Sequence, residues 1–504
     1  MKAKILYDRR FAVGTISGRM AGSFAEHLNR CVYGGLYEPD HPQADSNGFR
    51  SDVKRAVRDA GVQFMRYPGG NFVSAYHWKD GIGPRDKRPR RFETAWQTVE
   101  TNEVGTDEFA RYLRELDIEL MMCVNMGTGT PEEAAELVEY CNLPGGTALS
   151  DLRRANGSES PYRVKLWCVG NEMDGPWQIG QLSAEDYAKK FVQAARMMRR
   201  VDPSIQLIAA GSCSNEPAHR SYGYWDRTLL EAAYEEMDYL SLHRYYGYDV
   251  EQKLLYPRVE TFCDIAYMAV DLEEMIGAAE GAIRHVKGCL RSGHEVYLSL
   301  DELSILPHQT TLPGGEPADA YRQIDAVLYG GLLCTLLNHA DRVKLNAQSL
   351  IVNENGLYTT IPMGGVIPQS ILYPFRDIAR YAHGMALRPA CELPEVRTEH
   401  YGPRPCVQTA CAYNAEHGEL NVFIANCCVE KDVEVQLCLN GFASLRPLEH
   451  IELYSKSPLL ANTIQNPNAV APVVRMVPVP VAGEYPLTVQ KHSWNVFRFA
   501  ADIN

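Results

Sequence analysis

The feature that most constrains this chain is a recurrence. Between about residue 20 and residue 380, an apolar β-type run ends in polar residues and a helical stretch follows, eight times over. The runs are Ala21–Glu26, Val62–Pro68, Glu119–Asn125, Val164–Gly170, Ile205–Gly211, Met237–His243, Val296–Asp301 and Val343–Gln348. Several are near-continuously apolar (LIAA, MMCV, LSL), as parallel strands covered on both faces should be. The intervening helices carry start and stop signals. Ser51-Asp52 opens SDVKRAVRDAG, Thr106-Asp107 opens TDEFARYLREL, Pro131 opens PEEAAELVEYCN, and Ser183 opens a helix that stops before Pro203. The pattern predicts an α/β fold, a (β/α)8 TIM barrel with enlarged loops. A doubly wound open sheet would place a glycine-rich phosphate loop after its first strand, and none is present.

After about residue 385 the texture changes. CVQTACAY, LNVFIANC, DVEVQLCL, HIELYS and NVFRFA are short, alternating and β-rich, which predicts an antiparallel, jelly-roll-like β-sandwich. AKILYDRRFAV near the N-terminus also reads as a strand that joins it. The expected division is residues 1–18 in the sandwich, 19–384 in the catalytic barrel and 385–504 in the C-terminal sandwich.

Charge and cysteine usage narrow the partners. A formal net charge of −13 over 504 residues argues against nucleic acid or an anionic membrane. The basic loop from Trp78 to Trp96 is then read as solvated or intersubunit. The apolar stretch from Ala326 to Ala340 is too short to span a bilayer and suits a buried helix. The N-terminus carries no secretory pattern, so a cytoplasmic location with reduced thiols is expected. No Cys or His cluster shows ligand spacing, so neither a metal nor a cofactor is expected.

In a (β/α)8 barrel the chemistry sits at the C-terminal strand ends. The polar residues there are Glu26, Arg66, Asn71, Asn125, Asn171, Glu172, Ser212, His243, Tyr245, Asp301, Glu302, Asn346 and Gln348. This set is poor for phosphate and well suited to a neutral sugar. Glu172 and Glu302 follow the fourth and seventh runs, 130 residues apart, so their tips can face across the cavity. Two facing carboxylates are what glycoside hydrolysis requires.

The runs FAEHLNRCVYGGLYEP, MRYPGGNFVSAYHWKDGIGP, NMGTGTPEEAAELVEYCN, KLWCVGNEMDGPWQIG, SLHRYYG and LDELSI resemble the α-L-arabinofuranosidases of glycoside hydrolase family 51. The resemblance covers essentially the whole chain. It implies an exo-acting, retaining enzyme on arabinose-containing oligosaccharides, assembled as a homo-oligomer, usually a hexamer. Position by position, it implies Glu172 as acid/base and Glu302 as nucleophile. Glu26, Arg66, Asn71, Asn171, Tyr245 and Gln348 would line the sugar pocket. Trp96 is expected to contact substrate or pack in the core; His243 to orient a carboxylate or be a core histidine; Arg66 to bind or to pair with Glu26 or Glu302. One departure concerns Leu303, where the family commonly has an aromatic after the nucleophile; the expected effect is on the leaving-group side. The rivals are a β-xylosidase or β-glucan hydrolase on the same fold, and a non-catalytic sugar-binding relative.

Overall fold

The computed structural model describes every residue except 216–218, 220, 248–265, 313–316, 399–400, 482 and 502–504. Eight parallel strands close a barrel: β1 (Gly22–Phe24), β2 (Phe64–Tyr67), β3 (Glu119–Val124), β4 (Leu166–Val169), β5 (Gln206–Ala209), β6 (Tyr239–Tyr246), β7 (Tyr297–Ile305) and β8 (Val343–Gln348). Each coincides with one of the eight apolar runs. Ala347 and Gln348 of β8 pair with Gly22 and Ser23 of β1 to complete the ring. β6 and β7 continue past the ends expected of them, because their mutual ladder runs from Tyr239↔Tyr297 to Tyr246↔Ile305. The apolar pattern stops earlier because the residues beyond it face a polar cavity while the backbone pairing goes on. His243, Tyr245 and Glu302 therefore sit within strands, and a register shift between Ser241 and His243 re-aims them.

The helices begin near their signals, with small differences at the caps. Ser183 and Thr130 accept hydrogen bonds from the N–H groups of Asp186 and Glu133, capping Ala184–Val201 and Pro131–Asn142. Ser51 and Thr106 are first helical residues rather than caps. Before Thr106, the Gly105 N–H donates to the Glu108 carboxylate at 3.0 Å.

The apolar stretch 326–340 falls largely on the helix Gln323–Asn338, which is buried on all sides between barrel and sandwich. Its Gly330 allows the close approach: a Cβ there would lie 2.3 Å from the Trp494 ring. Trp494 Nε1 donates to Asp377 Oδ2 at 2.8 Å, tying the sandwich to the barrel helix Leu372–Tyr381. Burial pushes the Asp377 carboxyl up to about 7.

The sandwich has a four-stranded and a seven-stranded sheet with an apolar core between them. The strand Lys2–Asp8 lies inside the smaller sheet, antiparallel to Ala390–Glu392 but parallel to Val433–Asn440. The sheet is therefore not wholly antiparallel. The whole barrel lies between Lys2–Asp8 and its partners in sequence, so no hairpin sets its direction. None of the described helices is long and apolar enough to cross a membrane.

Candidate active site

Glu172 follows β4 in a tight turn, with its backbone in the left-handed region at φ 45°. The Gly175 N–H closes that turn on the Glu172 carbonyl at 2.8 Å. A non-glycine residue held there stores strain, which clusters at functional sites. Glu302 projects from β7 on the facing side. One carboxylate oxygen of each and Nδ1 of His243 lie within 4.8 Å of one another, and all three residues are buried. His243 stands 3.0 Å from Glu172 Oε1 and 3.6 Å from Glu302 Oε2. Burial opposes its protonation, but Glu302, Asp301 and Glu172 around it raise its pKa well above the ordinary histidine value.

The floor is a charged lattice. Arg66, from β2, donates Nη1 to Glu302 Oε1 at 2.8 Å and Nη2 to Asn171 Oδ1, and its Nε stands 3.5 Å from Asp301 Oδ2. Asn171 Nδ2 reaches Asn71 Oδ1 at 3.4 Å. Tyr245 donates to Glu302 Oε2 at 2.6 Å and stands 2.6 Å from Ser349 Oγ, which leaves Ser349 as the donor in that second bond. Burial and the charges of Glu302 and Glu172 raise the tyrosine pKa well above its ordinary value, so Tyr245 keeps its proton. Burial opposes ionisation of Asp301, yet His243, Arg66 and Ser241 hold it well below the usual carboxylate range. At 3.9 Å His243 acts on Asp301 through charge rather than a hydrogen bond, whereas Ser241 Oγ donates at 2.6 Å.

Glu26, just past β1, forms the adjoining wall. Its Oε1 accepts from the Phe72 N–H at 3.0 Å and from Trp96 Nε1 at 2.8 Å. Burial, with the charge of Glu302 behind it, pushes this carboxyl up to about 8 against those donors. Gly70 passes close behind it at φ 68°, where a Cβ would meet Glu26 Oε2 at 1.9 Å. Trp96 is half-buried and Trp78 is core, its indole N–H capping the Glu133 carbonyl at 3.2 Å.

Other candidates are tied to neighbouring groups. Gln348 is fully buried and gives its amide hydrogens to Ser304 Oγ and the carbonyls of Ser349 and Asn355, while its Oε1 has no partner among the described residues. Asn125 braces its own loop through Thr128 and Gly129, and Asn346 holds the Met20 carbonyl. Basic residues of the loop pair within the chain: Arg88 binds Glu108 of the following helix at 2.9 Å and Arg91 binds Asp80 at 2.8 Å. Leu303 lies fully buried in the apolar core and not on the leaving-group side, because the strand alternation that turns Glu302 inward turns it away.

Two residues escaped the sequence reading of the site. Asp301 appeared among the strand-end residues without a role, although its charge balances Arg66 and His243. Trp177 donates Nε1 to Glu172 Oε2 at 2.7 Å while 41% of its surface stays exposed. Its signal was the GPW turn only five residues after Glu172.

Comparison with known proteins covers both domains. The family profile described as the Alpha-L-arabinofuranosidase 1 domain matches residues 56–253, and that of the Alpha-L-arabinofuranosidase C-terminal domain matches 301–493. The chain is 40% identical to the intracellular exo-alpha-(1->5)-L-arabinofuranosidase 1 of Bacillus subtilis, over 93% of each chain. It is 39% identical to an exo-alpha-(1->6)-L-arabinofuranosidase of Bifidobacterium longum, over 93% of this chain and 91% of that one. Among solved structures, a family 51 alpha-L-arabinofuranosidase from Bifidobacterium longum superposes with a TM-score of 0.91 at 36% identity, over 99% of both chains.

Proposed function

The chain belongs to the α-L-arabinofuranosidases of glycoside hydrolase family 51, and from that premise we propose that Glu302 is its nucleophile and Glu172 its acid/base. It is a retaining glycoside hydrolase that removes terminal non-reducing α-L-arabinofuranosyl residues. The observation that supports the retaining reading is the approach of the two carboxylates, whose oxygens come within 4.8 Å. Carboxyl groups about 5–5.5 Å apart suit a covalent glycosyl-enzyme; an inverting pair stands roughly 6.5–9.5 Å apart to admit water.

Different partners set the two carboxylates apart. Arg66 donates to Glu302 at 2.8 Å and stands 3.5 Å from Asp301, whereas the Glu172 carboxylate meets His243 and Trp177, so Glu302 is the one held as nucleophile. Glu302, held by Arg66 and Tyr245, attacks the anomeric carbon as Glu172 protonates the departing oxygen. Glu172 then takes a proton from the water that releases arabinose, returning to its starting state. Asn171, fixed by Arg66, keeps an amide N–H for a sugar hydroxyl, and Glu26 Oε2 offers a second contact. The indole of Trp96 supports the sugar face beside Glu26.

The test is hydrolysis of p-nitrophenyl α-L-arabinofuranoside by wild type, Glu302→Ala and Glu172→Ala, with azide added to each variant. Rescue of Glu172→Ala as the α-azide (configuration retained) and of Glu302→Ala as the β-azide (inverted) is expected. The opposite pairing exchanges the two roles, and a wild type that turns over only the β-xyloside overturns the substrate. Cytoplasmic location is proposed from the relatives named intracellular. The hexamer implied by the family resemblance is tested by light scattering on the purified chain.

A further inference from the structure

Beside the acid/base, and apart from the hydrolytic residues, three unlike donors converge. Asp174, two residues past Glu172, meets Cys213 and His219 from the stretch after β5, and one ligand atom of each lies within 4.8 Å of the others. His219 Nε2 is the hub. Asp174 Oδ2 stands 2.6 Å from it, Ser221 Oγ 3.0 Å and Cys213 Sγ 3.7 Å.

A single ring nitrogen has one proton and can satisfy one acceptor, yet three heteroatoms crowd this one. Asp174 Oδ1 is buried with no hydrogen-bond partner among the described residues. Asp174 and Cys213 are almost wholly buried, and only 7% of the His219 side chain is exposed. The charges bearing on Cys213 are those of Glu172, Asp174 and Glu302, all negative. Such a pocket favours a cation.

We propose that Asp174, Cys213 and His219 form a binding site for a thiophilic divalent cation of the zinc class. A mixed thiolate, imidazole and carboxylate set with one open position suits that ion. Zinc bond lengths in a tetrahedron place nitrogen and sulfur about 3.6 Å apart and nitrogen and oxygen about 3.4 Å apart. The first spacing is already present; the second requires the Asp174–His219 pair to open by somewhat less than 1 Å. Binding displaces the thiol proton of Cys213 to solvent, moves the His219 proton off Nε2 (to Nδ1 in the neutral ring, to solvent from the imidazolium), and replaces the Asp174–His219 hydrogen bond by two bonds to the metal. The turn so held is the one that carries Trp177 to Glu172, and the Trp177 ring lies 6.2 Å from that of His219.

The experiment titrates the EDTA-treated full chain with Co2+, followed by Zn2+ competition, in wild type, Cys213→Ser and His219→Ala. The expected result is one equivalent of Co2+ with a thiolate-to-cobalt charge-transfer band, displaced by Zn2+, absent in Cys213→Ser and at least tenfold weaker in His219→Ala. The Glu172–His243–Glu302 cluster has no thiol and cannot produce that band. Equal metal-free melting temperatures show that the variants fold. No band, or a band that persists in Cys213→Ser (as from the exposed Cys289 beside His285), overturns the site.

Discussion

The imidazole of His243 bridges the two carboxylates, 3.0 Å from Glu172 and 3.6 Å from Glu302. It is the only cation among the described residues that touches both, and it couples the proton on one to the charge on the other. His243→Gln should lower kcat by about 10²–10³-fold with little change in KM, as loss of a preorganised charge at the reacting centre does. Its raised pKa stabilises the fold fully below the unfolded value of 6.5, and that stability is lost as pH rises through the higher folded value. The melting temperature of wild type should therefore fall more steeply than that of His243→Gln on the alkaline side. Parallel melting curves with unchanged kcat would remove the bridge from the mechanism.

Glu26 titrates in the opposite sense to a salt-bridged acid. Its carboxyl moves from 4.5 to about 8 on burial, so its neutral form favours folding below pH 4.5, and that advantage drains away between there and about pH 8. Glu26→Gln can keep both bonds to Oε1 and removes the buried charge. The variant should gain melting temperature relative to wild type at pH 8–9, while KM rises. A profile as steep as that of wild type would show that Glu26 is already ionised in the fold.

Gly70→Ala probes the same wall from behind. The added Cβ collides with Glu26 Oε2 and sits at φ 68°, ψ −158°, a region essentially open only to glycine, at a backbone cost of about 1–3 kcal/mol. KM is expected to rise at least tenfold as the carboxylate is pushed aside, with a melting temperature several degrees lower. An unchanged KM would mean that Glu26 does not bind the sugar.

Trp177→Phe keeps the ring and deletes the N–H that reaches Glu172. As Glu172 gives up its proton in the transition state this bond becomes one to a charged group, which contributes about 1.5–3 kcal/mol. A tenfold to hundredfold loss of kcat is expected on substrates with poor leaving groups. Aryl glycosides, which need less protonation, should be affected less; an equal loss on both would tie Trp177 to substrate binding instead.

Much of this was legible from one dimension because strands buried on both faces leave uninterrupted apolar runs, and the barrel places chemistry at their ends. That logic reached Glu26, Arg66, Asn171, Glu172, His243 and Glu302. It says less where side chains act across loops. Asn125 stands at a strand end yet spends its hydrogen bonds on the surrounding loops, and Gln348 ties its amide hydrogens to neighbours while its Oε1 has no partner among the described residues, which position alone does not reveal. Leu303 misled because facing depends on strand phase, and β7 runs on beyond its apolar stretch. The Asp174–Cys213–His219 cluster has no sequence spacing to read, since its donors come from two different loops.

The strand Lys2–Asp8 has a consequence for how the molecule is made. Its parallel partner, Val433–Asn440, is synthesised some 430 residues later. At 5–20 residues per second the ribosome takes roughly 20–90 s to deliver it. For that interval the strand lacks its parallel neighbour, and the barrel segments are made before the smaller sheet can be completed.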